Sequence, residues 1–530
     1  MTNFQSGLES DLDFQWDVPA HFNFAVDVVD HWARDAERVA LIAVNEAGVE
    51  QTYTYQQISQ ASIRLAGLLA SRGLNQGDRI VVMLPRIAQW QIAMVAVMRL
   101  GAVPIPCITM LTEKDIAYRV NHANAVGAIT LAEETQKYGS LTDLSVKVAV
   151  GDAPEGWVDF EQSAPASDDR LSADVRSEDP AILYYTSGST GSPKGVTHSS
   201  RAIWAWRLSA EYWLGLSPAS RIWCTADTGW SKAGTSILFG PWSQGASVLF
   251  YDGPFDPQER LRLLAKYQVS CFCAAATELR RLILEDVSQF NLSNLKATVS
   301  AGESVNPEVI ERWRELTGTT VLDGYGQTET LMTITNRPGR AVKPGSMGLP
   351  LPGLEVAVYD AQTASVASQG GGELALALPY PQLMLGYWED ADRTRDTQVT
   401  IDGRGWYRTG DNVEIDEEGY VFYTGRADDI INSSGYRIGP QEVENALTEH
   451  EAVLECAVVG VPDEERGELV KAWIVLAPGF AESAELVKEL QDHAKAVTAP
   501  YKYPRQITFA EDLPKTVSGK IRRNILRERK

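Results

Sequence analysis

Apolar residues along the first 400 positions alternate between a helical and a strand-like period. The segment 55–72 predicts an amphipathic helix, because its apolar residues recur every three or four positions; they include Ile58, Ala61, Leu65 and Leu68. The short apolar run 79–84 predicts a buried strand, and 91–100 is helical again. The same alternation returns at 265–285 and 296–322, which is typical of mostly parallel sheets covered by helices.

The composition and the apolar pattern of the chain change after about position 345. Gly and Pro become frequent, and the short runs 354–360 and 373–378 predict a smaller β-rich section. Beyond Gly425 the pattern predicts a compact α+β unit, with a helix that starts at Pro440 and strands at 452–460 and 470–476. A chain of 530 residues is too long for one compact core. We therefore predict an α/β fold with a large N-terminal body of several subdomains, 1–426, and a small C-terminal domain, 427–530.

Composition and charge narrow the classes of partner. The net charge of −22 disfavours nucleic acids and anionic membranes, which such a negative field repels. Five scattered cysteines argue against a disulfide framework and, with six dispersed histidines, against a structural zinc site. The N-terminus has no signal-peptide pattern and is too acidic for a transit peptide, and no apolar run reaches the length of a membrane span. We expect a cytoplasmic protein.

The stretch 184-YYTSGSTGSPKGVTHSS-200 is the most unusual in the sequence. It follows a buried-strand pattern at 181–185 and precedes an amphipathic pattern at 199–216 that predicts a helix. A strand, a glycine-rich loop and a helix in this order let backbone N–H groups converge on an anion. The loop is not of the Walker A type, because Pro193 precedes Lys194. It predicts a phosphate site of another kind.

The string TSGSTGSPKG resembles the phosphate-binding loop of the adenylate-forming superfamily, which includes acyl-CoA synthetases, luciferases and peptide-synthetase adenylation domains. Four more of that family's motifs follow in order: 323-DGYGQTET-330, 407-YRTGD-411, 425-GRADDIINSSGYRIGPQEVENAL-447 and 514-PKTVSGKIRR-523. With FNFAVDVVDHWA near the start and APYKYPR near the end, the resemblance covers nearly the whole chain. It is strongest to the medium-chain acyl-CoA synthetases.

The resemblance implies a two-step ligase that uses ATP, Mg²⁺ and coenzyme A. A carboxylate first attacks the α-phosphate of ATP to give an acyl-adenylate and pyrophosphate, and the thiol of CoA then displaces AMP. The first step brings an anion onto a polyanion, so the site must supply fixed positive charge and hydrogen-bond donors. In the family the small domain turns between the two steps about a hinge that matches Asp428.

The same resemblance assigns the nucleotide site. The matching residues are Thr186, Ser187, Gly188, Ser189, Thr190, Gly191, Lys194, Asp323, Gly324, Tyr325, Gly326, Gln327, Thr328, Asp411, Arg426 and Lys520. Tyr325 would stack on adenine, Thr328 would donate to the α-phosphate and Asp411 would bind both ribose hydroxyls. Glu329 would bind Mg²⁺, as a hard carboxylate suits a hard cation. The catalytic residues implied are Lys520, Glu329, Thr186 and Lys194.

Other positions match the family's CoA and acyl sites. Those for CoA are Ser434, Gly435, Tyr436, Arg466, Lys495, Tyr503 and Arg505; Met110 departs from a polar contact expected there. Those for the acid are Trp230, Gly326, Thr328 and Arg437. Acetyl-CoA synthetases carry a Trp where this chain has Gly326, so we expect a larger pocket and a medium-chain fatty or aromatic acid.

Three alternatives remain open at this point. The chain could pass its adenylate to an acceptor other than CoA, as a stand-alone adenylation domain or a luciferase-like oxygenase does. It could act on acetate or propionate, or it could be a regulatory protein with a dead nucleotide site. The sequence also leaves a homo-oligomer open, and a lysine acetyltransferase that modifies Lys520 is a partner the resemblance suggests.

Overall fold

The first 160 residues contribute one complete sheet and two strands of a larger one. The computed structural model describes residues 14–162, 171–186, 193–303, 305–426, 429, 431–433, 436–463, 466–498, 501–515 and 521–529. The helices of this first part are α1 (Tyr55–Ser71), α2 (Ala88–Arg99) and α3 (Glu113–Ala123). Its strands are β1 (Val39–Asn45), β2 (Glu50–Thr54), β3 (Arg79–Met83), β4 (Val103–Pro106), β5 (Gly127–Leu131), β6 (Val146–Val150) and β7 (Val158–Asp159).

Residues 171–335 continue the alternation of strands and helices. The strands are β8 (Pro180–Thr186), β9 (Lys194–Ser199), β10 (Arg221–Cys224), β11 (Ser247–Asp252), β12 (Cys271–Cys273), β13 (Ala297–Ala301), β14 (Val321–Gln327) and β15 (Leu331–Thr335). The helices are α4 (Ser200–Ala205), α5 (Arg207–Tyr212), α6 (Ser231–Ala233), α7 (Phe239–Ser243), α8 (Pro257–Lys266), α9 (Ala276–Leu282) and α10 (Pro307–Thr317). Short π- and 3-10 helices add Ala25–Asp30, Ala132–Tyr138, Gly234–Leu238 and Val287–Gln289.

The β-rich section and the C-terminal unit follow where the sequence predicts them. The first holds β16 (Ser346–Pro350), β17 (Val356–Asp360), β18 (Ser365–Ala367), β19 (Gly370–Ala377), β20 (Gly386–Tyr387), α11 (Ala391–Asp396), β21 (Gln398–Ile401), β22 (Arg404–Ile415) and β23 (Val421–Arg426). The second holds β24 (Ile431–Ser433), β25 (Tyr436–Ile438), α12 (Pro440–Thr448), β26 (Val453–Asp463), β27 (Gly467–Leu476), α13 (Ala484–Val497), β28 (Gln506–Phe509) and α14 (Arg523–Glu528).

Four sheets organise the described residues. The largest runs β18-β17-β19-β22-β23-β16-β15-β14-β13-β12-β10-β11-β1-β2, with β21 beside β22. Its strands from β1 through β11, β10, β12 and β13 to β14 pair in parallel, and from β14 to β17 the pairing is antiparallel. A second sheet, β4-β3-β5-β6-β7, is wholly parallel. The α/β fold with a β-rich section is confirmed, and β24 to β28 form a separate sheet after residue 430.

Local signals explain where helices begin and end. Helix α1 begins after Thr54, which shares a capping box with Gln57. Helix α10 has Asn306 as its cap and Pro307 in its first turn, and it ends at Gly318 with φ +75°. The helices predicted at 55–72 and 91–100 are found as α1 and α2, within three residues of their predicted bounds.

The segment after the glycine-rich loop differs from the prediction. The loop leads into strand β9, which pairs antiparallel with β8, so a hairpin and not a strand–loop–helix unit surrounds it. The helix predicted at 199–216 is two short helices, α4 and α5, that meet at Trp206. Strand β9 was missed because Lys194–Ser199 has a single large aliphatic residue, Val196, and its pairing with β8 and β20 supplies the rest.

The core lies between the two parallel sheets and their helices. Six tryptophans are almost fully buried: Trp90, Trp206, Trp213, Trp223, Trp242 and Trp313. Bulky rings of this kind bury large apolar areas. Within the described ranges, no helix is both long and apolar enough to cross a bilayer.

Candidate functional site

A buried carboxylate, that of Asp411 on β22, is the point where the predicted nucleotide motifs meet. Its side chain is about 6% exposed. Its Oδ2 atom accepts hydrogen bonds from the Tyr325 hydroxyl at 2.6 Å and from Nε2 of Gln327 at 2.6 Å. Arg426 lies opposite Asp411 across the β22–β23 pair, with its Nη1 atom 3.5 Å from Oδ1. Three predicted residues from two motifs therefore converge on a carboxylate from a third.

The side chain of Gln327 fixes the orientation of that carboxylate. Its amide nitrogen also donates to the main-chain oxygen of Thr409 at 2.7 Å, so the amide cannot turn without losing both bonds. Because the Tyr325 and Gln327 donors share Oδ2, Oδ1 is directed to the other side, where Arg426 lies. A carboxylate held in this way is suited to accept hydrogen bonds from a polar ligand. The stacking of Tyr325 on adenine stays a prediction.

Lys194 and Glu329 form a second group beside it. Lys194 lies opposite Thr186 at the loop end of the β8–β9 hairpin, and its ammonium is 5.4 Å from the ring centre of Tyr387. The Tyr387 hydroxyl donates to Oε1 of Glu329 at 2.9 Å. Burial, and then the charge of Arg393, lower the pKa of the Lys194 amine, whereas Glu329 opposes that change. The structure thus brings together three of the predicted catalytic residues, and Tyr387 is a neighbour that the sequence did not reveal.

Thr328 is positioned from both sides. The main-chain oxygen of Thr328 accepts a hydrogen bond from Nε2 of His198 at 2.6 Å, and its hydroxyl is 3.3 Å from that of Ser231. His198 is fully buried, and burial lowers the pKa of its imidazole to about 4, so it is neutral near pH 7. Neither His198 nor Ser231 lies in a family motif, and only their contacts reveal them.

Asp323 and Trp230 lie nearby at the ends of the parallel strands. Asp323 accepts a hydrogen bond from the N–H of Gly324 at 3.0 Å, and burial raises the pKa of its carboxyl to about 7. Trp230 caps the short helix α6 and packs, partly buried, between two apolar clusters. Its position directly before Ser231 places it close to Thr328. That neighbourhood is compatible with its predicted place in the acyl pocket, which stays a prediction.

The expectation for Gly326 needs a correction. A Cβ atom added there would lie 1.9 Å from the main-chain oxygen of Leu331 on β15, so the position faces backbone and not open space. The irregular pairing of β14 and β15 at Tyr325 and Gly326 produces this close approach. The missing side chain therefore does not by itself enlarge an acyl pocket, and a Trp could not be added without moving β15.

Three of the predicted CoA residues form one cluster. The Tyr503 ring has the ammonium of Lys495 4.4 Å from its centre and the guanidinium of Arg505 4.7 Å from it. Lys495 also pairs with Asp492 at 2.9 Å. Arg466, whose N–H donates to Asp463, is not part of this cluster among the described contacts. Met110 is 66% exposed.

Several predicted residues lie outside the part that the structure describes. They are Ser187, Gly188, Ser189, Thr190, Gly191, Asp428, Ser434, Gly435 and Lys520, together with the side chains of Tyr436 and Arg437. In the described ranges no three His, Cys, Asp or Glu residues are grouped as they would be to hold a metal ion.

Comparison with known proteins gives matches along nearly the whole chain. The family model described as AMP-binding enzyme matches residues 28–388, and that of the AMP-binding enzyme C-terminal domain matches residues 442–520. The acyl-coenzyme A synthetase ACSM3, mitochondrial, of Mus musculus is 41% identical over 99% of this chain and 94% of its own length. The uncharacterized acyl-CoA ligase YtcI of Bacillus subtilis is 39% identical over 97% of both chains.

Solved structures show the same architecture. The anthranilate CoA ligase AuaEII in complex with anthranoyl-AMP has a TM-score of 0.86 and 31% identity, and the match covers 96% of this chain and 98% of that one. A benzoate CoA ligase from Burkholderia xenovorans LB400 has a TM-score of 0.82 and 30% identity, with coverage of 96% and 100%.

Proposed function

Because the chain belongs to the AMP-binding enzyme family, we propose that it is an AMP-forming acyl-CoA synthetase for a medium-chain fatty or aromatic acid. The observation that carries the proposal is the convergence of Tyr325, Gln327 and Arg426 on the buried Asp411 carboxylate. The three partners come from separate motifs that the family resemblance assigns to the nucleotide, so a nucleotide ligand explains why they meet at one buried carboxylate.

In the first step the acid's carboxylate oxygen attacks the α-phosphorus of ATP, and the bond from phosphorus to the pyrophosphate oxygen breaks. Asp411 would hold the ribose, while Lys194 and Thr186 would bind the phosphates from the hairpin end. Thr328, held through His198, would donate to the α-phosphate. The role of these groups is to orient the triphosphate and to offset its charge, which is the main requirement of phosphoryl chemistry.

Mg²⁺ would be held by Glu329. Only its Oε1 atom accepts a described hydrogen bond, from Tyr387, so Oε2 remains for a hard cation. When bound, Mg²⁺ would supply positive charge that offsets part of the charge of the phosphates. Lys194 and Tyr387 lie beside that carboxylate, and the Tyr387 hydroxyl orients it.

The second step would use CoA as the acceptor of the acyl group. The Lys495–Tyr503–Arg505 cluster presents two cations beside one aromatic ring, an arrangement that suits a phosphorylated nucleotide. The relatives named acyl-CoA synthetases and CoA ligases support CoA over another acceptor. An aromatic acid is favoured by the benzoate and anthranilate ligases, and a fatty acid by the family resemblance.

The test is acid-dependent release of pyrophosphate, with and without CoA, over a panel of fatty, aromatic and short acids. We expect release with medium-chain or aromatic acids, and AMP and thioester only when CoA is present. A best rate with acetate or propionate would favour the short-chain alternative, and AMP production that needs another acceptor would favour the non-CoA one. No nucleotide turnover with any acid would refute the proposal.

Lys520→Ala separates the two half-reactions. We expect loss of adenylate formation with retained thioester formation from supplied acyl-adenylate, because a compact ammonium is needed where phosphate charge develops. Lys515→Ala is the matched control, since Lys515 lies in the same segment but pairs with Glu455 at 2.8 Å. Equal loss of both half-reactions in the Lys520 variant would contradict its role.

Other parts of the interpretation stay predictions from the sequence. They are the domain boundary at 426, the turn of the small domain about Asp428, the cytoplasmic location, a homo-oligomer and acetylation of Lys520. Each depends on the family resemblance or on composition alone.

A further inference from the structure

Lys232 lies at the carboxyl ends of the parallel strands of the large sheet. It belongs to α6, two residues after Trp230. Its ammonium nitrogen, Nζ, donates to the main-chain oxygen of Ala301, the last residue of β13, at 3.0 Å. The carboxyl ends of parallel strands are where open α/β sheets bind their ligands. Lys232 is therefore a cation in the region where a substrate would lie.

The surroundings of Lys232 differ from those of Lys194. The titratable groups that act on Lys232 are Cys273, Cys224, Glu303 and Glu278, and Asp323 also faces it. Those that act on Lys194 are Arg393, Glu329, Arg426 and Asp390. Lys194 lies beside the Tyr387 ring, whereas Lys232 donates to the end of β13, so the two amines contact different elements. Lys194 is on the phosphate side, and Lys232 lies beneath the strand ends.

The hydrogen-bonding capacity of Lys232 is largely unused. An ammonium group has three donors, and among the described residues only the Ala301 oxygen accepts one of them. No carboxylate in the described part of the chain lies at ion-pair distance from it. Glu303 accepts instead from Thr277, and Glu278 pairs with Arg260 at 2.8 Å. Two N–H donors inside the protein therefore need an acceptor from water or from a ligand.

The amine keeps its charge in this position. Burial acts to lower the pKa of Lys232, but the nearby Cys273, Cys224 and Glu303 together raise it above its ordinary value. A saturated alkyl tail beside an ammonium with unmet donors would be unfavourable, because it removes water without replacing its hydrogen bonds. An oxygen acceptor on the ligand would satisfy them.

We propose that Lys232 binds an oxygen acceptor on the tail of the acid, so that the substrate carries a second polar group, best a carboxylate, besides the one that becomes the thioester. The proposal rests on the acyl-CoA synthetase function. It names the substrate class more narrowly than that function does: dicarboxylic or oxygen-substituted acids in place of unsubstituted ones. Ser231, 3.3 Å from the Thr328 hydroxyl, connects this tail site to the reaction site.

The test compares acids of equal length that differ at the far end. Unsubstituted acids, dicarboxylic acids and their monomethyl esters with four to ten carbons are assayed by pyrophosphate release with saturating ATP. We expect the wild-type protein to favour at least one dicarboxylic acid over its ester and its unsubstituted counterpart by tenfold or more in kcat/KM. This comparison needs no variant, so it decides the proposal even if a Lys232 variant does not fold.

Lys232→Met removes the charge and keeps most of the volume. We expect the preference for the dicarboxylic acid to fall at least tenfold, while kcat/KM for the unsubstituted acid is kept or rises. The matched control is Lys296→Met, because Lys296 is exposed and directly precedes β13, at the opposite end of the same strand from Ala301. It should leave the preference unchanged.

The outcomes separate this proposal from the one it depends on. If none of the acids supports pyrophosphate release, the synthetase function itself is refuted. Release with unsubstituted acids in preference to every dicarboxylic acid overturns only the role of Lys232. Unchanged acid preference in Lys232→Met also overturns it, because Lys232 would then not contact the tail of the acid.

Discussion

Replacing Asp411 with Asn should weaken the use of ATP far more than it weakens the fold. The substitution keeps size and shape but removes the charge that Tyr325, Gln327 and Arg426 share. Whichever way the new amide turns, its NH₂ group faces donors: the Tyr325 and Gln327 pair on one side or the guanidinium on the other. One contact around position 411 must therefore be lost in every arrangement.

The size of the effect follows from the type of bond. A hydrogen bond to a charged group is worth about 1.5–3 kcal/mol, and about 1.4 kcal/mol corresponds to a tenfold change in rate. If the ribose hydroxyls donate to Asp411, loss of one such bond lowers kcat/KM for ATP by roughly ten- to one-hundredfold. The donor left unmatched inside the protein lowers the free energy of unfolding by about 1–3 kcal/mol.

Pyrophosphate release at varied ATP measures the first quantity, and urea unfolding measures the second. Glu373→Gln is the matched control, because Glu373 is a buried carboxylate on the neighbouring strand β19 that accepts from the N–H of Gly410 and pairs with Arg408. We expect it to lose stability but to keep kcat/KM for ATP. If both variants lose ATP turnover equally, or if Asp411→Asn keeps it within twofold, Asp411 is not a nucleotide ligand.

Three further predictions concern single positions. Glu329→Gln should raise the Mg²⁺ concentration needed for half-maximal pyrophosphate release at least tenfold, and an unchanged requirement would exclude Glu329 as the ligand. Gly435→Leu should keep adenylation and stop CoA turnover, since a side chain would fill a narrow channel; normal thioester formation would contradict this. The unfolded chain takes up a proton on His198 near pH 6.5, but the folded protein does so only near its pKa of about 4, so stability falls with acid across that interval. His198→Gln keeps a donor to Thr328, and it should reduce this acid-induced loss in the free energy of unfolding by about 3 kcal/mol, as measured by urea unfolding. An identical pH dependence in the variant and the wild type would show that the imidazole is not held neutral.

The sequence predicted most of the fold because its periodic signals are local. Helix α1 is visible from its apolar spacing and from the Thr54–Gln57 capping box, both of which lie within a few residues. Strand β9 was missed because it has one large aliphatic residue, Val196, and one of its partners, β20, lies far from it in sequence. A single long helix was predicted at 199–216 because the apolar spacing continues through Trp206. In the structure the chain forms two short helices that meet at that residue.

The candidate site was predictable to the extent that it consists of contiguous motifs. Asp411, Gln327 and Arg426 were identified by motif, and their meeting at one carboxylate required the structure. His198 and Lys232 could not be found from the sequence, because a lone His or Lys carries no spacing signal. Both act through main-chain oxygens of residues more than 60 positions away, at Thr328 and Ala301.

The tight approach of β14 to β15 at Gly326 limits how this enzyme could acquire a new substrate. Every replacement there, beginning with alanine, would meet the same oxygen of Leu331 before any larger group could reach the substrate. The substrate preference therefore cannot change by stepwise enlargement of the side chain at position 326. Variation among descendants of this protein should accumulate instead at residues whose side chains already project past the strand ends, with glycine retained between Tyr325 and Gln327.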